Sequence, residues 1–129
     1  MTHRIHQEVP LNASPERVYK ALTDATQFSA VCGGAPAVID ASPGAAFSCF
    51  GGKIEGRQIE LVPGKRIVQA WRAGNWGEGT YSIARFEFRP QGEQTLLVFD
   101  HTGFPEDAGA HLESGWKAMY WEPLAKYLG

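Results

Sequence analysis

His101 is the residue of this chain whose type and position best suit proton transfer. It shares the apolar parity of a predicted strand with Leu97 and Phe99, so its imidazole would face the interior. Because an imidazole titrates near neutral pH, His101 could bind a ligand or act as an acid or base. It could equally be a structural histidine satisfied within the core. His101 is therefore the single candidate for a catalytic residue.

Arg57 is the cation that could hold a carboxylate beside His101, because a guanidinium pairs with carboxylates through two parallel hydrogen bonds. Glu55 and Gln69, on the same and the neighbouring strand, could orient the imidazole. Arg57 and Glu55 share one strand parity, whereas the apolar Ile54 has the other. Either a β-bulge intervenes or the charged side chains face water.

The cysteines and histidines do not form a metal-binding or nucleophilic pattern. Cys32 and Cys49 lie 17 positions apart without a CxxC motif, and two buried thiols are the simpler interpretation. His3 and His6 are three positions apart, so they would lie on opposite faces of a strand. We therefore expect no metal ion and no cofactor.

Large aromatic side chains form the main candidate for a binding site. They would converge between a sheet and a terminal helix, giving rigid apolar walls with polar groups on tryptophan and tyrosine. They could also fill the core completely; glycines such as Gly56 favour a cavity because they remove side-chain volume from the sheet. The predicted ligand-binding residues are Trp71, Phe86, Phe88, Phe99, His101, Trp116, Met119, Tyr120 and Arg57.

Helices are predicted in two places. Ser14-Pro15-Glu16 combines a capping hydroxyl, a proline suited to the first helical position and an acid near the helix dipole. The helix that begins there is followed by a break or by a second short helix reaching Val31. A long C-terminal helix is predicted over about 106 to 128 from apolar residues at helical spacing. Pro123 should bend or break it near Tyr120.

Seven strands are predicted from short runs in which apolar and polar residues alternate between glycine and proline turns. The strands cover about 3 to 11, 37 to 41, 45 to 50, 53 to 62, 66 to 73, 80 to 89 and 95 to 103. The order of one strand, two short helices, six strands and a long helix is typical of an α+β domain whose antiparallel sheet curls around the last helix.

Composition limits the domain organisation and the partners. The 129 residues, 43% of them hydrophobic, suit one domain over 1–129. A formal net charge of -2, with lysine and arginine scattered, argues against nucleic acid and against anionic membrane surfaces. The chain shows neither a signal peptide nor an apolar stretch that could span a bilayer, so we expect a cytoplasmic protein with reduced thiols.

Several motifs together resemble a known family. The motifs are Ser14-Pro15-Glu16-Arg17-Val18-Tyr19-Lys20-Ala21-Leu22-Thr23-Asp24, then Gly44, Phe47 and Gly56, Pro63-Gly64-Lys65-Arg66-Ile67-Val68 with Trp71, His101-Thr102-Gly103-Phe104, and Gly115-Trp116 with Leu124 and Leu128. In this order they resemble the homologues of heat-shock-protein ATPase activators, within the START-related helix-grip (SRPBCC) group. The resemblance covers nearly the whole chain. It implies a curved antiparallel sheet gripping the long helix around a mainly apolar cavity. The glycine-rich run Gly74–Gly79 departs from the family pattern and would remodel the cavity mouth.

Three functions are compatible with these features. The first is a non-catalytic module that binds a small, partly hydrophobic or amphipathic molecule between helix and sheet. The second is a cavity enzyme of the cyclase or hydratase type, with His101 as acid or base and Arg57 as anion holder. The third, which the resemblance implies, is a chaperone-interaction module using the outer sheet face or the Gly74–Gly79 run. Apolar Leu96 and Val98, expected to be exposed, would suit a homodimer.

Overall fold

The fold is a curved seven-stranded sheet that wraps around a C-terminal helix, as predicted. The computed structural model describes residues 4–129, so His3 lies outside the described residues. All neighbouring strands pair antiparallel in the order β1-β7-β6-β5-β4-β3-β2. The strands are β1 (Arg4–Leu11), β2 (Val38–Ile39), β3 (Ala46–Cys49), β4 (Ile54–Val62), β5 (Arg66–Ala73), β6 (Ser82–Gln91) and β7 (Gln94–Thr102).

Two short helices follow β1, and both begin at a side-chain cap. In α1 (Pro15–Thr23) the Ser14 hydroxyl accepts a hydrogen bond from the backbone N–H of Arg17 at 3.3 Å. In α2 (Ala25–Val31) the Asp24 carboxylate accepts one from the backbone N–H of Thr26 at 2.9 Å. The predicted helix start at Ser14 and the second short helix are therefore both confirmed.

The C-terminal helix is continuous but changes its pitch where Pro123 was predicted to disturb it. It consists of α3 (Gly109–Trp116), a π-helical turn (Lys117–Trp121) and α4 (Glu122–Leu128), after a 3₁₀ turn at Glu106–Ala108. Pro123 has no N–H to donate to the Met119 carbonyl, and the wider π turn lies at this point in place of a break. No helix within residues 4–129 is both long and apolar enough to cross a membrane.

The inner face of the sheet carries the predicted interior side chains. On β5, β6 and β7 the buried residues alternate with more exposed ones. The buried inner set comprises Ile67, Gln69, Trp71, Ala84, Phe86, Phe88, Leu97, Phe99 and His101. On the outer face the expectation of exposed Leu96 and Val98 is wrong: Val98 is only 5% exposed, and Leu96 is only partly exposed. Its cross-strand neighbours Glu8 and Glu87 lie on either side of it.

A bulge in β4 resolves the parity conflict around Arg57. The pairing between β4 and β5 shifts after Gln58, which leaves Ile59 bulged and 49% exposed. Before the bulge, Gly56 and Gln58 face the interior and Arg57 faces outward. The space beside Gly56 is not empty, because a Cβ there would lie 1.9 Å from the Ala70 carbonyl oxygen and 2.8 Å from the Phe47 ring.

Candidate functional site

The centre of the space between sheet and helix is filled by aromatic rings packed around Trp116. Its ring centroid lies 4.2 Å from those of Phe99 and Tyr120, 5.2 Å from that of Trp71 and 5.6 Å from that of Trp121. These separations are those of packed aromatic pairs. The middle of the interface is therefore a core, and open space must lie elsewhere.

His101 belongs to this core and has both ring nitrogens engaged. Trp116 donates its indole N–H to Nδ1 at 3.0 Å, and Nε2 lies 2.6 Å from the Ser82 hydroxyl. Because an indole can only donate, Nδ1 must be unprotonated and Nε2 must carry the hydrogen. The Ser82 hydroxyl then donates to the Trp71 carbonyl at 2.8 Å. Burial lowers the pKa of His101 to about 3, so the imidazole is neutral and has no nitrogen left for a substrate.

A cleft of about 1060 Å³ opens at one end of the interface between helix and sheet. It lies between the start of β4, the loop from β5 to β6, and the first turns of the C-terminal helix. Apolar side chains form most of its walls, and Lys53, Asn75, Asp107 and His111 contribute the polar groups. The larger apolar lining residues are Phe50, Ile54, Trp71, Trp76, Leu112, Trp116, Met119 and Tyr120.

Arg72 holds the loop that forms one wall of the cleft. Its guanidinium donates to the carbonyls of Trp76 at 2.7 Å, Gly77 at 3.1 Å and Thr80 at 3.2 Å, and to the Glu55 carboxylate at 2.8 Å. Arg72 is only 9% exposed, although the loop it holds is mostly exposed. The five-donor guanidinium suits this task because it satisfies several carbonyls at once. Trp76 is thereby fixed at the cleft wall.

Phe50 forms another part of the cleft wall in a strained conformation. Its φ of 55° lies in the left-handed region, which side chains other than glycine seldom adopt. Its ring packs on Tyr120 at 5.5 Å and on Phe28 at 5.9 Å between centroids. Such strain persists only where packing enforces it, and it tends to occur at functional sites.

Tyr120 separates the cleft from a small inner void of about 20 Å³ and borders both. Its hydroxyl lies 3.7 Å from the Cys49 sulfur and accepts a hydrogen bond of 3.5 Å from the Trp71 indole N–H. Beyond Tyr120, the Gln69 side chain lines the void. Gln69 donates from Nε2 to the Gln58 Oε1 at 3.2 Å.

The two thiols are placed to stay protonated. Burial raises the pKa of Cys49 to about 12 and that of Cys32 to about 11. A thiol is nucleophilic only as thiolate. Among the described residues, no group of three or more histidine, cysteine or acidic side chains is arranged to hold a metal ion.

The predicted binding residues are distributed over four places. Trp71, Trp116, Met119 and Tyr120 line the cleft, and Phe86 lines the inner void. Phe99, His101 and Phe88 lie in the packed interior, where Phe88 meets Tyr19 edge to face. Arg57 faces outward and donates from Nη1 to the Gly44 carbonyl at 3.0 Å, and Glu55 lies beside Arg72. The structure therefore does not bring Arg57 and His101 together.

Sequence reasoning missed the residues that connecting turns bring to the cleft. Trp76 lies in the glycine-rich run already expected at the cavity mouth, so a signal for it was available. Phe50 begins the 3₁₀ turn Phe50–Gly52 and Lys53 follows it, and no periodicity reveals the conformation of such a turn. His111 and Leu112 lie one turn before Trp116 on α3, and helical spacing could have indicated them.

Comparison with known proteins assigns the chain to a family. A family model described as "Activator of Hsp90 ATPase homolog 1-like protein" matches residues 12–129. The chain belongs to this family. The human activator of 90 kDa heat shock protein ATPase homolog 1 is 30% identical over 116 residues, which are 90% of this chain and 34% of that protein. A Dictyostelium discoideum homologue is 40% identical over 75 residues, covering 57% and 20%. The chain thus spans about a third or less of these relatives.

Solved structures share the fold over the whole chain. An HSP90 activator from Plasmodium falciparum superposes with a TM-score of 0.92 at 26% identity, covering 99% of this chain and 97% of that one. The Aha1 dimer from Colwellia psychrerythraea gives a TM-score of 0.82 at 24% identity, covering 99% and 96%. The helix-grip fold and the resemblance to heat-shock-protein ATPase activators are therefore both confirmed.

Proposed function

We propose that this protein is a non-catalytic module that binds a small, partly hydrophobic molecule in the cleft. The observation that carries the proposal is the cleft itself, about 1060 Å³ with aromatic walls. Pockets for small molecules typically measure roughly 300–1,000 Å³ and combine apolar walls with a few polar groups. Lys53, Asn75 and His111 provide such groups.

Binding fits this site better than catalysis does. An acid or base needs a free proton-transfer atom within reach of the substrate. His101 has none, and Arg57 lies on the outer face. The cyclase or hydratase alternative therefore loses the two residues on which it was built.

Tryptophan fluorescence tests this proposal directly, because Trp71, Trp76 and Trp116 all line the cleft. A panel of aryl and alkyl compounds should quench the emission with saturation. Trp76→Ala should weaken binding severalfold without unfolding the protein, since Trp76 is only partly buried. The matched control is Tyr127→Ala, because Tyr127 on α4 is 36% exposed and is not a lining residue of the cleft. No saturable quenching across the panel would overturn the proposal.

Engagement of an Hsp90-type chaperone is the second candidate function. It is supported by the family and by the similarity to proteins named as activators of heat-shock-protein ATPase. The outer sheet face and the loop that Arg72 holds are the surfaces we assign to this contact. Purified Hsp90 should bind the protein in a pull-down and hydrolyse ATP faster in its presence. An unchanged ATPase rate with no complex would remove this candidate.

We further propose a cytoplasmic location and a homodimer. Cys32 and Cys49 are both free thiols, as suits a reducing compartment. Ile59 and Ile83 are exposed apolar residues of β4 and β6, and the Colwellia relative is described as a dimer. Sedimentation analysis should give a dimer for the native chain and a monomer for Ile83→Glu. A native monomer would refute the dimer.

A further inference from the structure

Gln58 carries an unused hydrogen-bonding group in the interior. Its side chain is 1% exposed, and among the described residues its Nε2 is the buried side-chain nitrogen that has no partner. Its Oε1 accepts from Gln69 on the neighbouring strand. An unsatisfied buried donor costs free energy, and native structures seldom keep one without a reason.

The unused donor can be presented at the inner void. If both amides rotate by 180°, Gln58 Nε2 donates to Gln69 Oε1, the Gln69 N–H₂ becomes the free donor, and Gln58 Oε1 becomes the buried atom without a partner. Gln69 lines the void of about 20 Å³. A space of that size admits one water-sized group. The pair can therefore offer a donor to a single oxygen atom behind Tyr120.

We infer that Gln58 and Gln69 form an inner polar subsite for the uncharged carbonyl head of an elongated ligand whose apolar body occupies the cleft. This inference rests on the proposed function. Among the described residues, no charged side chain lines the void. A buried carboxylate without a counter-charge is costly, so the head must be neutral, as in an amide or a ketone.

Tyr120 is the barrier between the two spaces, and it is held loosely at its hydroxyl. The bond from the Trp71 indole is 3.5 Å long, beyond the usual range of roughly 2.7–3.2 Å for such donors. The subsite opens when the Tyr120 ring turns against its packing on Phe28, Phe50 and Trp116. In Tyr120→Phe the hydroxyl contacts are gone and the ring volume is kept. Stopped-flow fluorescence should then show faster association, and an unchanged or slower rate would overturn this gating role.

The decisive experiment compares two uncharged probes that differ only in the carbonyl oxygen, 6-phenylhexan-2-one and hexylbenzene. Calorimetry should show that the ketone binds about tenfold more weakly to Gln58→Leu/Gln69→Leu than to the native protein, the value of one hydrogen bond in a dry site, and that hexylbenzene shows no such loss. The ¹⁵N side-chain resonances of Gln58 and Gln69 in the native protein should shift with the ketone. Trp76→Ala should weaken both probes equally.

The possible failures are distinguishable. An equal change in the affinities of the two probes between the native protein and the double variant would overturn the inner subsite and leave the cleft as a binding site. Absence of binding by either probe would also overturn the subsite. The fluorescence panel decides separately whether the cleft binds other compounds. Because the double variant replaces both partners of a buried hydrogen bond with apolar groups, it should remain folded, and thermal melting checks this.

Discussion

The space between the sheet and the C-terminal helix is closely packed at one end and open at the other. At the closed end, the rings of Phe99, Trp116 and Trp121 pack on one another. Both ring nitrogens of His101 are hydrogen-bonded there, to Trp116 and to Ser82. At the open end, Phe50 and Trp76 come from connections between strands and help to line the cleft of about 1060 Å³. Side chains of strands and helix form the packed end, whereas at the open end residues from the connections join Trp71 and Trp116 in lining the space.

This contrast separates two uses of aromatic residues. A ring on a strand or helix that faces the interior meets partners on all sides, and its burial stabilises the fold. A ring on a turn keeps one side open and can contact a ligand. Substitutions at the closed end should therefore change stability, and substitutions at the open end should change binding.

The largest effect should come from Phe99→Ala. Phe99 is fully buried, so the variant loses its transfer free energy and leaves a cavity, at a cost of about 3–5 kcal/mol. Phe50→Ala is the matched substitution at the open end and should cost about 1–2 kcal/mol, because the Phe50 ring is only partly buried. Urea denaturation measures both. Equal losses would contradict the distinction between the two ends.

His101 provides a pH test of the closed end. Its pKa is about 3 in the folded protein, against about 6.5 in an unfolded chain. As the pH falls from about 6.5 towards 3, His101 becomes protonated in the unfolded state but stays neutral in the folded state. The free energy of unfolding therefore falls by up to about 1.4 kcal/mol per pH unit. His101→Gln should flatten this dependence.

His6 is the control for that experiment, because its contribution has the opposite sign. Hydrogen bonds to Glu8 and then to Asp100 raise the pKa of the exposed His6. Its contribution is therefore present at low pH and lost as the pH rises through that raised pKa. His6→Gln should leave the acid-side slope of the native protein in place. A slope that His101→Gln does not change would show that the imidazole is already charged in the fold.

Arg72→Met tests whether the open end depends on the loop anchor. Methionine keeps the aliphatic length but removes the bonds to Glu55 and to the carbonyls of Trp76, Gly77 and Thr80, so we expect a loss of about 1–3 kcal/mol. Hydrogen exchange should accelerate in the loop, and cleft ligands should bind severalfold more weakly. Unchanged binding with a mobile loop would mean that Trp76 contributes nothing to the site.

The sequence revealed the closed end far better than the open one. Alternation on β5, β6 and β7 placed Trp71, Phe86 and His101 inside, because a strand presents successive side chains to opposite faces. The open end depends on a left-handed Phe50 and on a loop bonded to Arg72, and neither leaves a periodic signal.

Gly56 shows why a glycine does not by itself indicate a cavity. Its missing side chain was expected to leave space, and the Phe47 ring occupies that space instead. The parity of Arg57 was ambiguous for a similar reason, since the bulge at Ile59 depends on pairing with β5. The filled space at Gly56 and the bulge at Ile59 depend on how neighbouring strands pack and pair, so the sequence of one strand alone does not predict them.

The smallest effect should come from Arg57→Met. Arg57 is exposed, and its bond to the Gly44 carbonyl lies on the outer face, so its removal should cost less than about 0.5 kcal/mol. Cleft ligands should bind with native affinity, in contrast to Arg72→Met, where the same chemical change breaks the loop anchor. Calorimetry on the two variants separates a general effect of lost positive charge from the loss of a cleft wall. Weaker binding by Arg57→Met would mean that the ligand site is not confined to the cleft near Trp76 and extends to the outer face of β4.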